Sequence, residues 1–212
     1  MVSTLTNSFR SRHWNEVYAT TGAERVSWFQ PDPTVSLELI DGLHLDRRQP
    51  VIDVGGGAST LVDRLLERGY VDVTVLDVSA HALGLAQRRL GDRAQQVHWE
   101  TADLLLWTPT RCFALWHDRA VFHFLTDPHD RVRYRELATA SVTPGGYLIL
   151  ATFASDGPER CSRLPVARYS ADQLAEHLGA GFTSMTTRRE HHHTPTGVDQ
   201  PFTWLLMQRT ET

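Results

Sequence analysis

The chain has 212 residues and a formal charge of −4, from 21 lysines and arginines against 25 aspartates and glutamates. This length predicts a single domain with a substantial core, and the acidic balance without a long basic run argues against nucleic acid as a partner. There is no apolar run of the roughly 18 residues that a membrane span needs, and the first residues lack a secretory apolar stretch. We expect a cytoplasmic protein without a membrane partner, acting as a monomer or homodimer.

Two helices are predicted before the first strand, over residues 10–20 and 34–45. The segment between them contains Trp28 and Phe29 and is interrupted by prolines. We expect residues 1–46 to form a helical lid on a core of residues 47–212, the whole chain being one domain.

Apolar runs rich in β-branched residues then alternate with segments of helical period. Strands are predicted over residues 50–54, 71–76, 95–99, 113–116 and 147–153, and helices over 59–68 and 79–90. Two later strands, 181–190 and 201–209, flank a turn with Pro195 and Gly197 and predict an antiparallel pair. The pattern predicts an α/β fold with a Rossmann-like, doubly wound sheet of about seven strands, mostly parallel.

The most informative segment is VIDVGGGAST at residues 51–60, in which an apolar strand runs into three glycines and then a helix. Glycines at 55, 56 and 57 allow a sharp turn and let a ligand touch the main chain where a Cβ would collide. Ligands of open parallel sheets bind at the carboxyl ends of the strands. The segment therefore predicts a site for a nucleotide-like cofactor.

Three nearby residues narrow the choice of cofactor. Asp77 ends the second strand, where a carboxylate can accept hydrogen bonds from both hydroxyls of a ribose. A dinucleotide motif requires a third small residue where this chain has Thr60, and Asp53 would repel a pyrophosphate but attract an ammonium group. A dinucleotide-binding oxidoreductase is the weaker interpretation, and S-adenosylmethionine carries the required ammonium.

The segment resembles the first motif of class I S-adenosylmethionine-dependent methyltransferases, and the likeness continues in the same order over residues 50–153. The resemblance implies that Asp77 binds the ribose and that the aspartate of Ala102-Asp103-Leu104 faces the adenine amino group. S-Adenosylmethionine is the implied cofactor and S-adenosylhomocysteine the product. The expected cofactor-binding residues are Trp14, Tyr18, Trp28, Asp53, Gly55, Gly56, Gly57, Asp77, Val78, Ser79, Ala102, Asp103, Leu104 and His117.

The methyl acceptor is expected at the end of the fourth strand, which reads Trp-His-Asp-Arg-Ala at residues 116–120. This order resembles the Trp-Asp-Arg-Gly-Ala segment of thiopurine and related thiol methyltransferases, with one inserted histidine. The likeness implies that Arg119 holds an anionic acceptor or thiolate and that Asp118 orients the acceptor or a water molecule. His117 is a candidate base, since the ordinary histidine pKa lies near neutrality. Alternatively, Asp118 caps the next helix and His117 packs beside the cofactor.

Aromatic residues are concentrated in the lid. The Trp14 and Tyr18 rings lie on one helix face because they are four residues apart, and Trp28 and Phe29 follow in the connecting segment. Aromatic faces attract cations, so these rings are candidates for covering the sulfonium and excluding water. The alternative is that they bury the lid helices against the sheet.

We expect no metal site. His191, His192 and His193 are adjacent, which in an extended chain points them to alternate faces, and they are interpreted as a solvated hairpin segment. The two cysteines lack a metal-binding spacing. Cys112 is predicted to be an inert residue at the start of a buried strand, and Cys161 to lie in an exposed polar loop.

The leading hypothesis is a methyltransferase that acts on a small-molecule acceptor, with a thiol or chalcogen anion as the acceptor class. A protein lysine methyltransferase is the second enzymatic hypothesis, because the Trp-x-x-x-Tyr and Val-Ser-Trp-Phe patterns of the lid also resemble eukaryotic enzymes of that kind. A cofactor-binding module without catalysis remains a third alternative.

Overall fold

The structure is a computed structural model that describes the backbone of residues 2–211 and the side chains of residues 9–211. Its helices are α1 (Val2–Thr21), α2 (Thr34–Gly42), α3 (Leu61–Glu67), α4 (Ala80–Leu90), α5 (Pro128–Ser141) and α6 (Ala171–Leu178). Its main-sheet strands are β1 (Val51–Val54), β2 (Val73–Asp77), β3 (Val97–Thr101), β4 (Phe113–Arg119), β5 (Val142–Phe153), β8 (Phe182–His193) and β9 (Asp199–Arg209). A small separate hairpin is formed by β6 (Arg160–Cys161) and β7 (Leu164–Pro165).

The main sheet has seven strands in the order β3-β2-β1-β4-β5-β9-β8. The first five strands of the chain are parallel, whereas β9 runs antiparallel to both β5 and β8. The predicted α/β, Rossmann-like sheet with an antiparallel C-terminal pair is therefore confirmed. The strand order reverses between β1 and β4, which is where open sheets of this kind have their ligand crevice.

Apolar residues cover both faces of the central strands. Val51 and Leu115 belong to one hydrophobic cluster, while Ile52 and Trp116 belong to another on the opposite face. A parallel sheet covered by helices on both sides buries consecutive residues, and β1 and β4 are accordingly buried along almost their whole length. This rigid sheet fixes the strand ends that carry the site.

Two helices and the small hairpin were not predicted from the sequence, although the helices carry readable signals. In α5 the buried residues Tyr134, Leu137, Ala138 and Ser141 follow helical spacing, and Asp127 caps the first turn. In α6 Ser170 and Gln173 form a capping box. Some predicted bounds were also wrong, since α1 begins at Val2 and α2 ends at Gly42.

Among the described residues, none of the helices has both the length and the apolar character required to cross a lipid bilayer.

Candidate functional site

A cavity of about 960 Å³, part of it open to solvent, lies at the carboxyl ends of the parallel strands. Gly55 follows β1, Asp77 ends β2, Arg119 ends β4 and Phe153 ends β5, and all four line the cavity. The cavity therefore occupies the place predicted for a ligand.

The glycine turn forms part of the wall of this cavity and requires residues without a side chain. Gly55 has φ +68°, and a Cβ on it would lie 2.0 Å from Cγ2 of Val121. Gly57 has φ +49°, and its Cβ would lie 2.9 Å from the Tyr18 hydroxyl. Positive φ and such close neighbours both exclude other residues here. Glycine thus allows the chain to turn tightly against the Val121 and Tyr18 side chains.

The part of the cavity over β2 and β3 is called here the carboxylate half. Five of its lining residues were predicted to bind the cofactor: Asp77, Val78, Ala102, Asp103 and Leu104. Asp77 Oδ1 accepts a hydrogen bond of 2.7 Å from the Ser79 amide, and burial raises the Asp77 pKa to about 7. Asp77 and Asp103 therefore both line the carboxylate half of the cavity.

Helix α1 closes over the carboxylate half through polar contacts. Arg10 donates to Asp103, with Nη1 3.2 Å from Oδ2, and to Asp130, with Nη2 2.8 Å from Oδ2. Asn15 Oδ1 accepts hydrogen bonds from the Ser79 hydroxyl at 2.8 Å and from the His81 amide at 3.1 Å. Sequence reasoning missed both Arg10 and Asn15, because nothing local indicates these distant partners.

The lid aromatics form one connected cluster at the cavity. The Trp14 and Trp28 rings meet edge to face with centroids 5.6 Å apart, and Trp28 Nε1 donates to the Tyr18 hydroxyl at 3.1 Å. All three line the cavity. The arrangement brings together rings that are expected to cover a sulfonium, while Phe29 packs beside the cluster of Tyr18 and lines only the adjoining cavity.

A second cavity of about 520 Å³ adjoins the glycine turn and is lined by Asp53, Gly56 and His117. Asp53 Oδ1 lies 2.7 Å from His117 Nδ1, and His117 Nε2 lies 2.9 Å from the Ser36 hydroxyl. Both nitrogens of His117 are thus bonded to protein groups. Among the described side chains, Asp53 Oδ2 is buried and has no hydrogen-bond partner.

Arg119 lies between the two cavities and lines both. Its Nη1 donates to the Trp28 carbonyl at 3.0 Å, and its guanidinium carbon stands 4.6 Å from the centroid of the Phe202 ring. Within the described part of the chain, Nε and Nη2 have no hydrogen-bond partner although they are buried. Burial lowers the pKa of this guanidinium. Buried cationic donors without partners are costly, and an anionic ligand lowers that cost.

Asp118 differs from its two neighbours because it lies outside both linings. Its side chain is 0% exposed, with Oδ1 accepting from the Val121 amide at 2.8 Å and Oδ2 from the Tyr134 hydroxyl at 2.8 Å. Burial raises the Asp118 pKa to about 7. Asp118 thus holds the turn after β4, as in the capping alternative, and lines neither cavity. Gly57 and Ser79 also lie outside both linings, and Ser79 instead donates its amide hydrogen bond to Asp77.

The part of the cavity over β4, β5 and β9 is called here the aromatic half. It is lined by Arg119, His123, Phe124, Phe153, Cys161 and Phe202. His123 is 0% exposed, and its Nδ1 accepts from the Phe153 amide at 3.4 Å, so the proton is assigned to Nε2. Burial and the Arg119 charge lower the His123 pKa to about 3. Sequence reasoning gave His123 no role here, although it follows the recognised segment by three residues.

The environments of the two cysteines are the reverse of those predicted. Cys112 is exposed, whereas Cys161 is 7% exposed and lines the aromatic half, because the β6–β7 hairpin folds inward. Burial raises the Cys161 pKa to about 11. The thiol is thus neutral near pH 7.

The histidine run is only partly solvated and belongs to β8. His191 and His193 are exposed, but His192 is buried and lies 2.7 Å from the Ser27 carbonyl. Among the described residues, no group of three or more histidines, cysteines or acidic residues is arranged to hold a metal ion.

Comparison with known families bears on this geometry. Residues 51–146, which include the glycine turn, Asp77, Asp103 and the end of β4, match the family model described as a methyltransferase domain. This part of the chain is therefore similar to a methyltransferase domain. No protein with a curated functional description matches the sequence.

Several solved structures share the fold of this chain. One comes from work on the conversion of a disulfide bond into a thioacetal group during echinomycin biosynthesis; it is 20% identical, covers 95% of this chain and 94% of its own, and has a TM-score of 0.77. The 1,6-didemethyltoxoflavin-N1-methyltransferase of Burkholderia thailandensis is 21% identical over 99% of this chain and 89% of its own, with a TM-score of 0.68. The N-methyltransferase NodS of Bradyrhizobium japonicum, solved with S-adenosyl-L-homocysteine, is 16% identical over 92% and 97%, also with a TM-score of 0.68.

Proposed function

We propose that this protein transfers a methyl group from S-adenosylmethionine to a small molecule that binds as an anion, and that a thiol or chalcogen anion is the acceptor. The observation that carries the proposal is Arg119, which lines the cavity and whose guanidinium has two buried donors without a partner among the described residues. The match to a methyltransferase domain supports the reaction, and Arg119 supports the charge of the acceptor.

The residues of the crevice fit S-adenosylmethionine better than a dinucleotide. Asp53, Asp77 and Asp103 place carboxylates around the two cavities, where a pyrophosphate would be repelled. The unpartnered Asp53 Oδ2 suits the ammonium group, and Asp77 suits the ribose hydroxyls. When bound, S-adenosylmethionine supplies an electrophilic methyl carbon, and S-adenosylhomocysteine remains after transfer.

The charges of the aromatic half favour an anionic acceptor over an amine. The raised pKa of Cys161 and the lowered pKa of His123 keep both side chains neutral near pH 7. Arg119 is therefore the charged side chain among those that line this half. A lysine ammonium would be repelled, and no group in this half is suited to remove its proton. A thiolate needs no base because it is already deprotonated. Methylation of a protein lysine is therefore the second candidate function.

Alignment and exclusion of water are the tasks that remain for the protein. Arg119 is proposed to orient the acceptor, with His123 Nε2 as a second donor. The cluster of Trp14, Tyr18 and Trp28 is proposed to cover the reacting groups and keep water out. One solved neighbour comes from work on a disulfide-to-thioacetal conversion, whereas two others are N-methyltransferases, so the acceptor class rests on the residues of this chain.

The proposal is tested by measuring binding and transfer separately. Isothermal titration with S-adenosylmethionine, S-adenosylhomocysteine and NAD should show selective binding of the first two. Transfer of a labelled methyl group should then occur to thiols or to selenium and tellurium oxyanions rather than to amines, halides or lysate proteins. Selective NAD binding would overturn the cofactor, labelling of lysate proteins would support the lysine alternative, and cofactor binding without transfer would indicate a non-catalytic module.

A further inference from the structure

A buried hydrogen-bonded chain links the lid to the cofactor crevice. His117 of β4 lies between the other two residues. Its Nδ1 is 2.7 Å from Oδ1 of Asp53 in β1, and its Nε2 is 2.9 Å from the hydroxyl oxygen of Ser36 in α2. Asp53 is 3% exposed, His117 3% and Ser36 1%. Asp53 and His117 are register partners on neighbouring parallel strands, so the sheet itself brings them together.

The polarity of the chain follows from the donors and acceptors present. A carboxylate accepts, so His117 Nδ1 donates to Asp53 Oδ1. In neutral His117 the other nitrogen is then an acceptor, and the Ser36 hydroxyl donates to it. Each link fixes the next, so the orientation of the Asp53 carboxylate depends on Ser36 of the lid.

Asp53 lines the second cavity and has one oxygen without a partner in the described part of the chain. Oδ2 is buried without a partner among the described residues, and a Cβ on Gly56 would lie 2.5 Å from it. Glycine at position 56 therefore leaves space beside this oxygen. A carboxylate with one oxygen unpaired in such a place is costly, and a cationic group in the cavity removes that cost.

A Ser-His-Asp arrangement also resembles a hydrolytic triad, but the geometry does not suit attack. The Ser36 hydroxyl belongs to a residue that is 1% exposed in the first turn of α2. A nucleophile requires a reacting carbon within about 3.5 Å in line with it, which this burial prevents. Among the described side chains, the group of this hydrogen-bonded series that still lacks a partner is the Asp53 carboxylate, at Oδ2.

We propose that His117 and Ser36 are positioning residues that hold Asp53 with its free oxygen toward the ammonium group of the cofactor's amino-acid portion. The inference rests on the proposed function and adds α2 to the cofactor site. It gives His117 a role without proton transfer to or from the acceptor.

The test compares two ligands that differ in the amino-acid portion. S-Adenosylhomocysteine carries the ammonium, whereas 5′-methylthioadenosine keeps the adenosine and thioether but lacks it. Dissociation constants of both are measured by isothermal titration for the unmodified protein, His117→Phe, His117→Gln and Ser36→Ala. Ser141→Ala is the matched control, since Ser141 is also buried and its hydroxyl donates to the Leu137 carbonyl in α5.

We expect His117→Phe to weaken S-adenosylhomocysteine binding by about 10- to 100-fold, as for loss of a hydrogen bond to a charged group. His117→Gln, which retains an N–H donor, should recover part of the loss, and Ser36→Ala should show a smaller loss of about threefold. The affinity for 5′-methylthioadenosine should stay within about twofold in all variants, and Ser141→Ala should change neither constant.

Equal losses for both ligands, or an unchanged constant for S-adenosylhomocysteine, would overturn this inference while leaving the proposed function intact. Failure of the unmodified protein to bind S-adenosylhomocysteine would overturn both. If His117→Phe does not fold, the outcome is decided by Ser36→Ala and His117→Gln.

Discussion

Arg10 bridges Asp103 and Asp130, with Nη1 3.2 Å from one carboxylate and Nη2 2.8 Å from the other. The three residues belong to α1, to the loop after β3 and to α5, so one guanidinium ties the lid to two parts of the core. The arginine is 30% exposed and Asp103 6%, which makes this pair less screened than a surface pair.

Arg10→Met should loosen α1 from the carboxylate half. We expect limited proteolysis within residues 9–21 to become faster and the affinity for S-adenosylhomocysteine to fall by about threefold to tenfold, since a partly buried pair is worth about 1 kcal/mol. Mass spectrometry of the fragments and isothermal titration measure the two effects. Arg48→Met, which removes an exposed arginine before β1, is the control. Equal cleavage rates in the two variants would show that Arg10 does not hold the lid.

Asp77 should make cofactor binding depend on pH. Its pKa is raised to about 7 by burial, and ribose hydroxyls donate to the ionised form. Binding therefore favours ionisation, so affinity should rise as the pH passes upward through about 7 and fall by up to about tenfold per unit below it. Titrations of S-adenosylhomocysteine from pH 5.5 to 8.5 measure this dependence.

Substitution of Asp77 provides the control for that profile. Asp77→Asn should flatten the dependence, and Asp77→Ala should cost about 1–3 kcal/mol of binding free energy at pH 8. A profile that persists in Asp77→Asn would assign the titration to another group, and unchanged affinity in Asp77→Ala would mean that the ribose lies elsewhere.

Arg119→Met should raise the Michaelis constant for an anionic acceptor. Loss of a buried charged donor predicts an increase of about 10- to 100-fold, with a much smaller change in cofactor affinity. Steady-state kinetics at saturating S-adenosylmethionine measure the first effect and isothermal titration the second. Because Arg119 also lines the second cavity, a loss confined to cofactor binding would move its role from the acceptor to the amino-acid portion of the cofactor.

Tyr134→Phe should destabilise the fold without affecting the ligand. The Tyr134 hydroxyl donates to Asp118 at 2.8 Å and accepts from Trp116 Nε1 at 3.0 Å, and all three residues are 0% exposed. Removing it leaves two buried polar groups unpaired, at a cost of about 1–3 kcal/mol in the free energy of unfolding. Urea denaturation measures this cost, with Tyr147→Phe at a less buried site as control. Equal stability of both variants would contradict the network, and weakened acceptor binding in Tyr134→Phe would return Asp118 to the acceptor site.

The two cysteines should differ in alkylation. Exposed Cys112 should react with iodoacetamide at pH 7.5 at least about tenfold faster than Cys161, whose burial and pKa of about 11 keep it protonated. Peptide mass spectrometry resolves the two sites, and S-adenosylhomocysteine should slow Cys161 further. Faster modification of Cys161 would place the β6–β7 hairpin outside the cavity.

Local patterns were sufficient to predict the sheet and the glycine turn, and the family resemblance added Asp103 to the residues expected at the crevice. Residues 51–60 carry a strand, a turn and a helix start within ten positions, and each of these signals depends on neighbours in the chain. Signals of the same kind, helix caps and helical spacing of buried residues, are also present in α5 and α6, which were not predicted.

Only the tertiary structure decided which side chains share a site. His117 meets Asp53 because β4 lies beside β1 in the sheet, and it meets Ser36 because α2 packs on that edge. Cys161 is buried by the fold of its hairpin, and Arg10 reaches Asp103 across 93 positions. Periodicity records which face of an element is apolar, whereas hydrogen bonds between polar groups depend on how the elements are placed, and no spacing along one chain encodes that placement.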